Sequence, residues 1–406
     1  MNETIVGGMG SAGIARSGIA VVGGSIAGCA AAIALSRVGC EVTVFERSHG
    51  DLSDRGYGIG LPLGLHEELV SEEYLDDSAS YVRYLERLWL VPGGESPAGR
   101  ELARQPFAVA AENWSILWRV LRAKVPDATY RAGTSVTAIE PDEAGAVVTT
   151  TEGQERFDVV IGADGYRSLV RRYVSPGSEI VPSGYAIWRG SYPERLLPAE
   201  IIADLERETG FYLFPGGHGG AYLIPDPLDA ASRLVNCGLY LMSATPIESL
   251  SLMAPGTVNS ELKDQFTRAV DRQLPRFWAE IMGKIGWERL SVQPVYDVTV
   301  ARYASGRLAL IGDAGAVARP HTASGASTAL QDALALERHC RQAGTWGEAL
   351  ARYDRERCTA GNAQAELGRR LGQALMQNAP DWAAIRPEDF PGWMSAVLSG
   401  YRTLYE

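Results

Sequence analysis

Runs of apolar or β-branched residues mark four places in the chain: "IAVV" at 19–22, "VTVF" at 42–45, "VVI" at 159–161 and "LALI" at 308–311. Each is followed within three positions by glycine or an acid, the pattern of short strands buried on both faces in a helix-covered parallel sheet. Between the first two, "CAAAIALSRVG" has the small apolar residues of a helix lying close on such a sheet, and "NWSILWRVLRAKVP" shows helical spacing. The segment after Gly64 reads as amphipathic helix, 134–157 as short strands around an "EGQ" turn, and the chain from 325 onward as helical. Residues 180–300 differ. There "GYAIWRGSY", "GFYLFPGGHGGAYLIPDP" and "RLVNCGLYLMS" alternate aromatic with small residues, which predicts an antiparallel sheet with an aromatic face and a hairpin turn at 216–220.

The expected fold class is therefore α/β with an α+β insertion. A discontinuous, Rossmann-like nucleotide-binding domain takes 18–178 and 295–340, an inserted antiparallel-sheet substrate domain takes 179–294, and C-terminal helices occupy 341–406. Residues 1–17 read as a flexible leader. Composition narrows the function. A net charge of −11 offers no basic face to nucleic acid or to an anionic membrane. No run of about 18 apolar residues is present to span a bilayer, and the first residues lack a signal-peptide pattern, so a cytoplasmic monomer or homodimer is expected. Five scattered cysteines and five isolated histidines lack ligand spacing, so neither disulfides nor a metal are expected.

Two glycine loops compete for a nucleotide. "VGGMGSAG" (6–13) matches G-x-G-x-x-G to the letter, but neither a buried strand before it nor a helix after it is encoded. "VVGGSIAG" (21–28) puts Ser25 at the middle glycine, yet it follows a strand, opens a helix, and is answered by Glu46, 23 residues after Gly23, where a carboxylate accepts ribose hydroxyls. Context favours the imperfect loop.

That loop with Glu46, "GADGYRS" at 162–168 and "LIGDAGAVARPHTASG" at 310–325 together resemble the class A flavoprotein monooxygenases of the para-hydroxybenzoate hydroxylase fold, over roughly residues 18–375. The "GGS" loop, "NWSILWRVLR", "YAIWRG" and "ARPHTASGA" are most similar to the 2,6-dihydroxypyridine hydroxylase branch. The resemblance implies bound FAD. Gly23, Ser25 and Gly28 would line its pyrophosphate, Glu46 with neighbouring Arg47 its adenosine ribose, and Arg119 its phosphate or ribityl region unless it is a solvated helix arginine. Asp164 would lie near FAD, cap the following helix, or do both, and Asp313 would accept from ribityl hydroxyls. Pro320 and the loop to Gly325 would lie against the isoalloxazine, and the helix after Gly325 would aim its positive end at the flavin. His321 would bind or deprotonate a phenolic substrate, or bond to backbone instead. Gly315 and Ala316 depart from the alanine–histidine pair usual in the family after "GD", and Arg319 stands where a proline or apolar residue is usual.

The same resemblance implies a single-component monooxygenase. NADH or NADPH, bound transiently, would reduce FAD, and O2 would be used through a flavin C4a-hydroperoxide to hydroxylate a phenolic or hydroxy-heteroaromatic small molecule. The glycines at 57–60 would let that segment approach the flavin. Trp188, Tyr212, Phe214, Tyr222 and Tyr240 are the candidate aromatic wall, about half of them core because strands alternate faces. Three rival readings stand beside this one: a flavoprotein of the same fold that cyclises without oxygenating, a flavin halogenase, for which no W-x-W-x-I-P stretch occurs, and a nicotinamide dehydrogenase without FAD.

Overall fold

Residues 13–52, 57–243 and 252–398 are described by the computed structural model. The first buried run is strand β1 (Gly18–Val22), joined through the glycine loop to α1 (Ile26–Arg37) and then β2 (Glu41–Glu46). Next come β3 (Gly58–Pro62), α2 (Leu63–Ser71), β4 (Tyr81–Val91), β5 (Arg100–Asn113) and α3 (Trp114–Ala123). The middle of the chain gives β6 (Tyr130–Ala132), β7 (Val136–Pro141), β8 (Ala146–Thr150), β9 (Gly153–Phe157), β10 (Val159–Gly162) and the single-turn α4 (Arg171–Val174).

The long strand β11 (Val181–Pro193) leads to α5 (Ala199–Arg207), β12 (Thr209–Phe214), β13 (Gly217–Pro225) and β14 (Arg233–Met242). Helices α6 (Ser260–Gln273) and α7 (Arg276–Gly283) precede β15 (Ser291–Asp297), β16 (Ala304–Ser305) and β17 (Leu308–Leu310). The chain closes with α8 (Gly325–Gln342), α9 (Trp346–Gly372), a turn of π-helix (Gln373–Gln377) and α10 (Phe390–Leu398).

Two large sheets result. The first has the order β16-β17-β10-β1-β2-β6, parallel except at β16, with the four apolar runs as its inner strands. Alanines of α1 pack it against α8, and the core between them is closed by Trp346, Tyr353 and Tyr303. Because its strands run parallel, the loops after β1, β10 and β17 and the last residue of β2 all emerge at one edge. The second sheet has the order β15-β11-β14-β13-β12-β4-β5-β3, and a third, β7-β8-β9, stands apart.

Three expectations need correction. The segment after Gly64 is helical only in α2; β4 and β5 follow, and with β3 they join the second sheet, whereas the sequence places 58–113 in the nucleotide unit. The hairpin turn is only residues 215–216, so Gly217–Gly220 belong to β13. Of the expected leader, Ile14 and Ser17 are buried, while Gly13, Ala15 and Arg16 are exposed. Ile14 joins the core, and the Ser17 hydroxyl accepts from the Trp346 indole N–H at 2.9 Å. Residues 1–12, with most of the "VGGMGSAG" loop, lie outside the described residues. All five cysteines are free thiols, and no helix among the described residues is long and apolar enough to cross a membrane.

A buried carboxylate locks the two sheets together. Asp297, at the end of β15, accepts from Arg319 Nε at 2.7 Å and from Arg369 Nη2 of α9 at 2.6 Å. Removing one partner of such a pair strands a buried charge. Asp297→Ala is therefore expected to cost about 3 kcal/mol or more, read as a lower urea midpoint, whereas Arg386→Ala, at an exposed pair, leaves the midpoint unchanged.

Candidate functional site

At the carboxyl edge of the parallel sheet the glycine loop is fixed by close contacts. Gly23 has φ +105°, and a Cβ there would meet the Ala163 carbonyl at 2.3 Å; one on Gly28 would meet the Gly23 carbonyl at 1.8 Å. The Gly24 carbonyl accepts from the Trp118 indole and the Tyr130 hydroxyl, each at 3.0 Å. Glu46 is buried beside it and accepts from Gly24 N–H at 2.8 Å and Ser48 N–H at 2.9 Å. Ser25 is the N-cap of α1, yet its side chain caps nothing and the first turn carries no acid. The early N–H groups of α1 are thus left for an anion.

Two acids complete the edge, in different states. Asp164 accepts from the Ser168 hydroxyl at 2.5 Å and Leu169 N–H at 2.6 Å, so it fastens the turn before α4. Asp313 has no donor on its carboxylate among the described residues and opens onto a cavity. Gly312, at φ +59°, brings its loop against Ala27 and Ala329, setting Asp313 beside the start of α1. Protein on its other sides pushes the Asp313 carboxyl up to about 6 by desolvation, with Arg171 pulling the other way. From Glu46 to Asp313 the edge crosses three strand spacings, about 14 Å, the reach of an elongated dinucleotide.

The cavity, about 330 Å³, lies between this edge and the second sheet. Its roof is Pro320 to Ala326, where Ala323 adopts φ +50° and α8 begins at Gly325 with its N-terminus on the cavity. Cross-strand register builds the floor. Ile187, Tyr240 and His218 form one row, Arg189, Gly238, Gly220 and Phe211 the next, and Asn236 and Tyr222 a third. The two central glycines leave a shallow bed between rows of larger side chains.

His321 hangs from the roof into the first row. Its Nε2 is 2.6 Å from the Tyr185 hydroxyl and its Nδ1 is 3.2 Å from His218 Nε2, and Tyr240 stacks on His218 at 4.4 Å. Burial holds both imidazoles neutral. It lowers His218 to about 3, with Arg87 adding to the effect, and lowers His321 well below the usual range, with His218 and Arg319 adding to it. Both nitrogens of His321 are engaged, so it has no free lone pair for a substrate. His218 Nδ1 has no partner. The arrangement that avoids an orphaned N–H has His218 Nε2–H donating to His321, and His321 donating to Tyr185.

The structure thus gathers Gly23, Ser25, Gly28, Glu46, Asp164 and Asp313 at one edge and Pro320, His321, Gly325, Tyr222 and Tyr240 around the cavity. Others fall elsewhere. Trp188, Tyr212 and Phe214 are buried on the opposite face of the second sheet, in the core covered by α6 and α7. Arg119 is exposed and donates to the Pro227 carbonyl at 2.8 Å, and Arg47 is exposed. Gly58 abuts Asn236 and Tyr222 in the cavity wall. Gly315 faces the Tyr303 ring, which fills the space a side chain would take.

Sequence reasoning misses Arg87, Arg189, Phe211, His218 and Asn236, which line the cavity. Strand alternation carried part of the signal: with Trp188 and Tyr212 in the core, Arg189 and Phe211 must face the other way.

A family model described as "FAD binding domain" matches residues 16–366. The chain belongs to this FAD-binding family. FAD is its cofactor. Among curated relatives, the 2,6-dihydroxypyridine 3-monooxygenase of Paenarthrobacter nicotinovorans is 29% identical, over 78% of this chain and 81% of that protein. The 3-amino-4-hydroxybenzoate 2-monooxygenase of Streptomyces cremeus is also 29% identical, over 78% and 77%. The fold is that of the solved 2,6-dihydroxypyridine-3-hydroxylase from Arthrobacter nicotinovorans, with TM-score 0.81 at 23% identity over 92% of this chain and 96% of that one.

The residues at the edge suit FAD. The uncapped start of α1 suits its pyrophosphate, and the donor-free Asp313 carboxylate is the acceptor that a ribityl chain requires. FAD affinity should fall as pH drops through about 6, because protonation removes that acceptor. Asp313→Asn should weaken binding about tenfold at pH 8 and flatten the pH dependence in fluorescence titrations of the apoprotein. Unchanged affinity would remove Asp313 from the site.

Proposed function

We propose that this protein is a single-component FAD-dependent monooxygenase that uses NADH or NADPH and O2 to hydroxylate a phenolic or hydroxy-heteroaromatic small molecule. The observation that carries the reading is the cavity itself: a bed of two glycines walled by Tyr222, Tyr240 and Phe211, open on the other side to Asp313 and the start of α8. Its volume lies within the ~300–1,000 Å³ typical of small-molecule sites. The names of the curated relatives support the same reaction class.

FAD, when bound and reduced, supplies the activation of O2. The chain's own work is positional and protonic. Gly23, Ser25 and Gly28 with α1 would hold the pyrophosphate, Glu46 the adenosine ribose, and Asp313 the ribityl hydroxyls. Pro320 to Gly325 would carry the isoalloxazine, and the N-terminus of α8 would favour negative charge developing there. Tyr222, Tyr240 and Phe211 hold a planar ring and exclude water.

In the hydrogen-bonded chain His218–His321–Tyr185 the unpartnered His218 Nδ1 is the acceptor that would take up the proton leaving the substrate hydroxyl, passing one on through His321 toward Tyr185. Burial and the nearby Arg87 and Arg319 make a lasting imidazolium unfavourable, so the chain passes a proton on rather than storing it. Arg47 and Arg119 have no role in this reading.

A panel of phenols and hydroxypyridines should stimulate NAD(P)H oxidation and O2 uptake by the FAD-loaded enzyme and yield hydroxylated product. No stimulation across the panel would favour a non-oxygenating activity. His321→Ala should lower kcat about 10²-fold with FAD content retained, and move the acid limb of the kcat–pH profile toward the substrate's own phenolic pKa. An unmoved profile would reduce His321 to a packing role.

A further inference from the structure

One buried amide in the cavity floor is bonded at one end only. Asn236 of β14 is 4% exposed, and its Oδ1 accepts from the Gly58 N–H of β3 at 2.8 Å. A backbone N–H cannot accept, so this bond admits a single orientation of the amide and turns Nδ2, with its two N–H groups, away from it. Among the described residues no acceptor is bonded to Nδ2, and Asn236 lines the cavity.

Two other inward-facing asparagines are bonded at both ends. Asn113 accepts from Ser115 N–H and donates to the Pro225 carbonyl, and Asn362 accepts from Val300 N–H and donates to the Val300 carbonyl. Buried amides are normally saturated in this way, since an unmet donor carries its full desolvation penalty. A glycine keeps the space beside Nδ2 clear. A Cβ on Gly58 would stand 2.8 Å from Nδ2 and 2.7 Å from the hydroxyl of Tyr222, the cross-strand neighbour of Asn236.

Strand register says what this donor can reach. The Asn236–Tyr222 row lies two residues along the strands from the bed of Gly238 and Gly220, about 7 Å, and the His218–Tyr240 row lies the same distance beyond the bed. A planar ring on the bed therefore has one edge toward the Asn236 amide and the opposite edge toward His218, the side on which the substrate hydroxyl gives up its proton.

We propose that Asn236 is a specificity-determining residue whose Nδ2 donates to a carbonyl oxygen conjugated with the substrate ring, at the edge opposite the reacting hydroxyl. The substrate class narrows to hydroxyarenes that also carry a conjugated carbonyl. The proposal deepens the hydroxylase reading and rests on it for the identity of the cavity. Negative charge left by the departing proton spreads through the ring to that oxygen, and the amide hydrogen bond strengthens as the charge arrives. A substituent without an acceptor leaves the buried N–H groups unmet, and the site discriminates against it.

Binding is read anaerobically from perturbation of the FAD absorbance of the holoenzyme. The probes are 4-hydroxyacetophenone set against 4-isopropenylphenol and 4-hydroxybenzaldehyde set against 4-vinylphenol, pairs in which a methylene replaces the carbonyl oxygen. At least one carbonyl compound should bind about tenfold or more tightly than its methylene partner. Asn236→Asp keeps the acceptor for Gly58 N–H and puts an oxygen where the donor was, so it should reverse the preference with FAD content retained, and Asn236→Leu should abolish it. If one variant loses FAD, the wild type and the other variant decide. Equal binding of the paired compounds by the wild type, a carbonyl preference that survives either substitution, or no carbonyl compound binding below about 10 mM would overturn the proposal. A preference reversed in Asn236→Asp with no oxygen transferred by the wild type to any phenol would keep the donor and end the hydroxylase reading. Phenols hydroxylated by the wild type with no preference for the carbonyl would do the reverse.

Discussion

The Asp297 carboxylate, shared between Arg319 and Arg369, is the interaction on which the site depends. It ties the last strand of the eight-stranded sheet to the loop that leaves the parallel sheet and to the long helix α9. Pro320 and His321 follow Arg319 directly, so this clamp fixes the height of the cavity roof above its floor. Tyr185 sits beneath it, with Arg319 over its ring and His321 on its hydroxyl. A slack joint here would separate the cofactor edge from the substrate floor, although each half could keep its own core.

The two halves solve different physical problems. The parallel sheet presents helix N–H groups, a turn that only glycine can make at Gly23, and acids at one edge, which suits an anionic, hydroxyl-rich cofactor. The eight-stranded sheet, antiparallel except where β12 runs parallel to β4, presents a bed with aromatic, imidazole and guanidinium side chains at its rim, which suits a planar polar ring. FAD carries the difficult chemistry, so the protein's task is to bring these surfaces within reach and keep water out.

Much of the first half was legible in the sequence because its signals are local. A strand, a glycine turn and a helix occupy neighbouring residues, and Glu46, Asp164 and Asp313 each follow an apolar run. The second half depends on register, which one sequence does not display. Bulges in the β4–β5 pairing, between Tyr84 and Glu86 and between Trp89 and Leu90, break the two-residue alternation, so "YVRYLERLWLV" imitates a helix. Trp188, Tyr212 and Phe214 drew attention by size, but size draws a residue into the core as readily as into a binding wall. His218 was hidden inside a glycine run read as a turn, and only its pairing with Tyr240 reveals it as floor.

The most direct test of oxygen transfer in this cavity is the fate of isotopic oxygen. The FAD-loaded enzyme is turned over with NAD(P)H and a hydroxyaromatic that stimulates O2 uptake, under 18O2, and the product is weighed by mass spectrometry. The account predicts one 18O atom per product molecule. Label appearing only as hydrogen peroxide, or a product whose new oxygen comes from water, would contradict it.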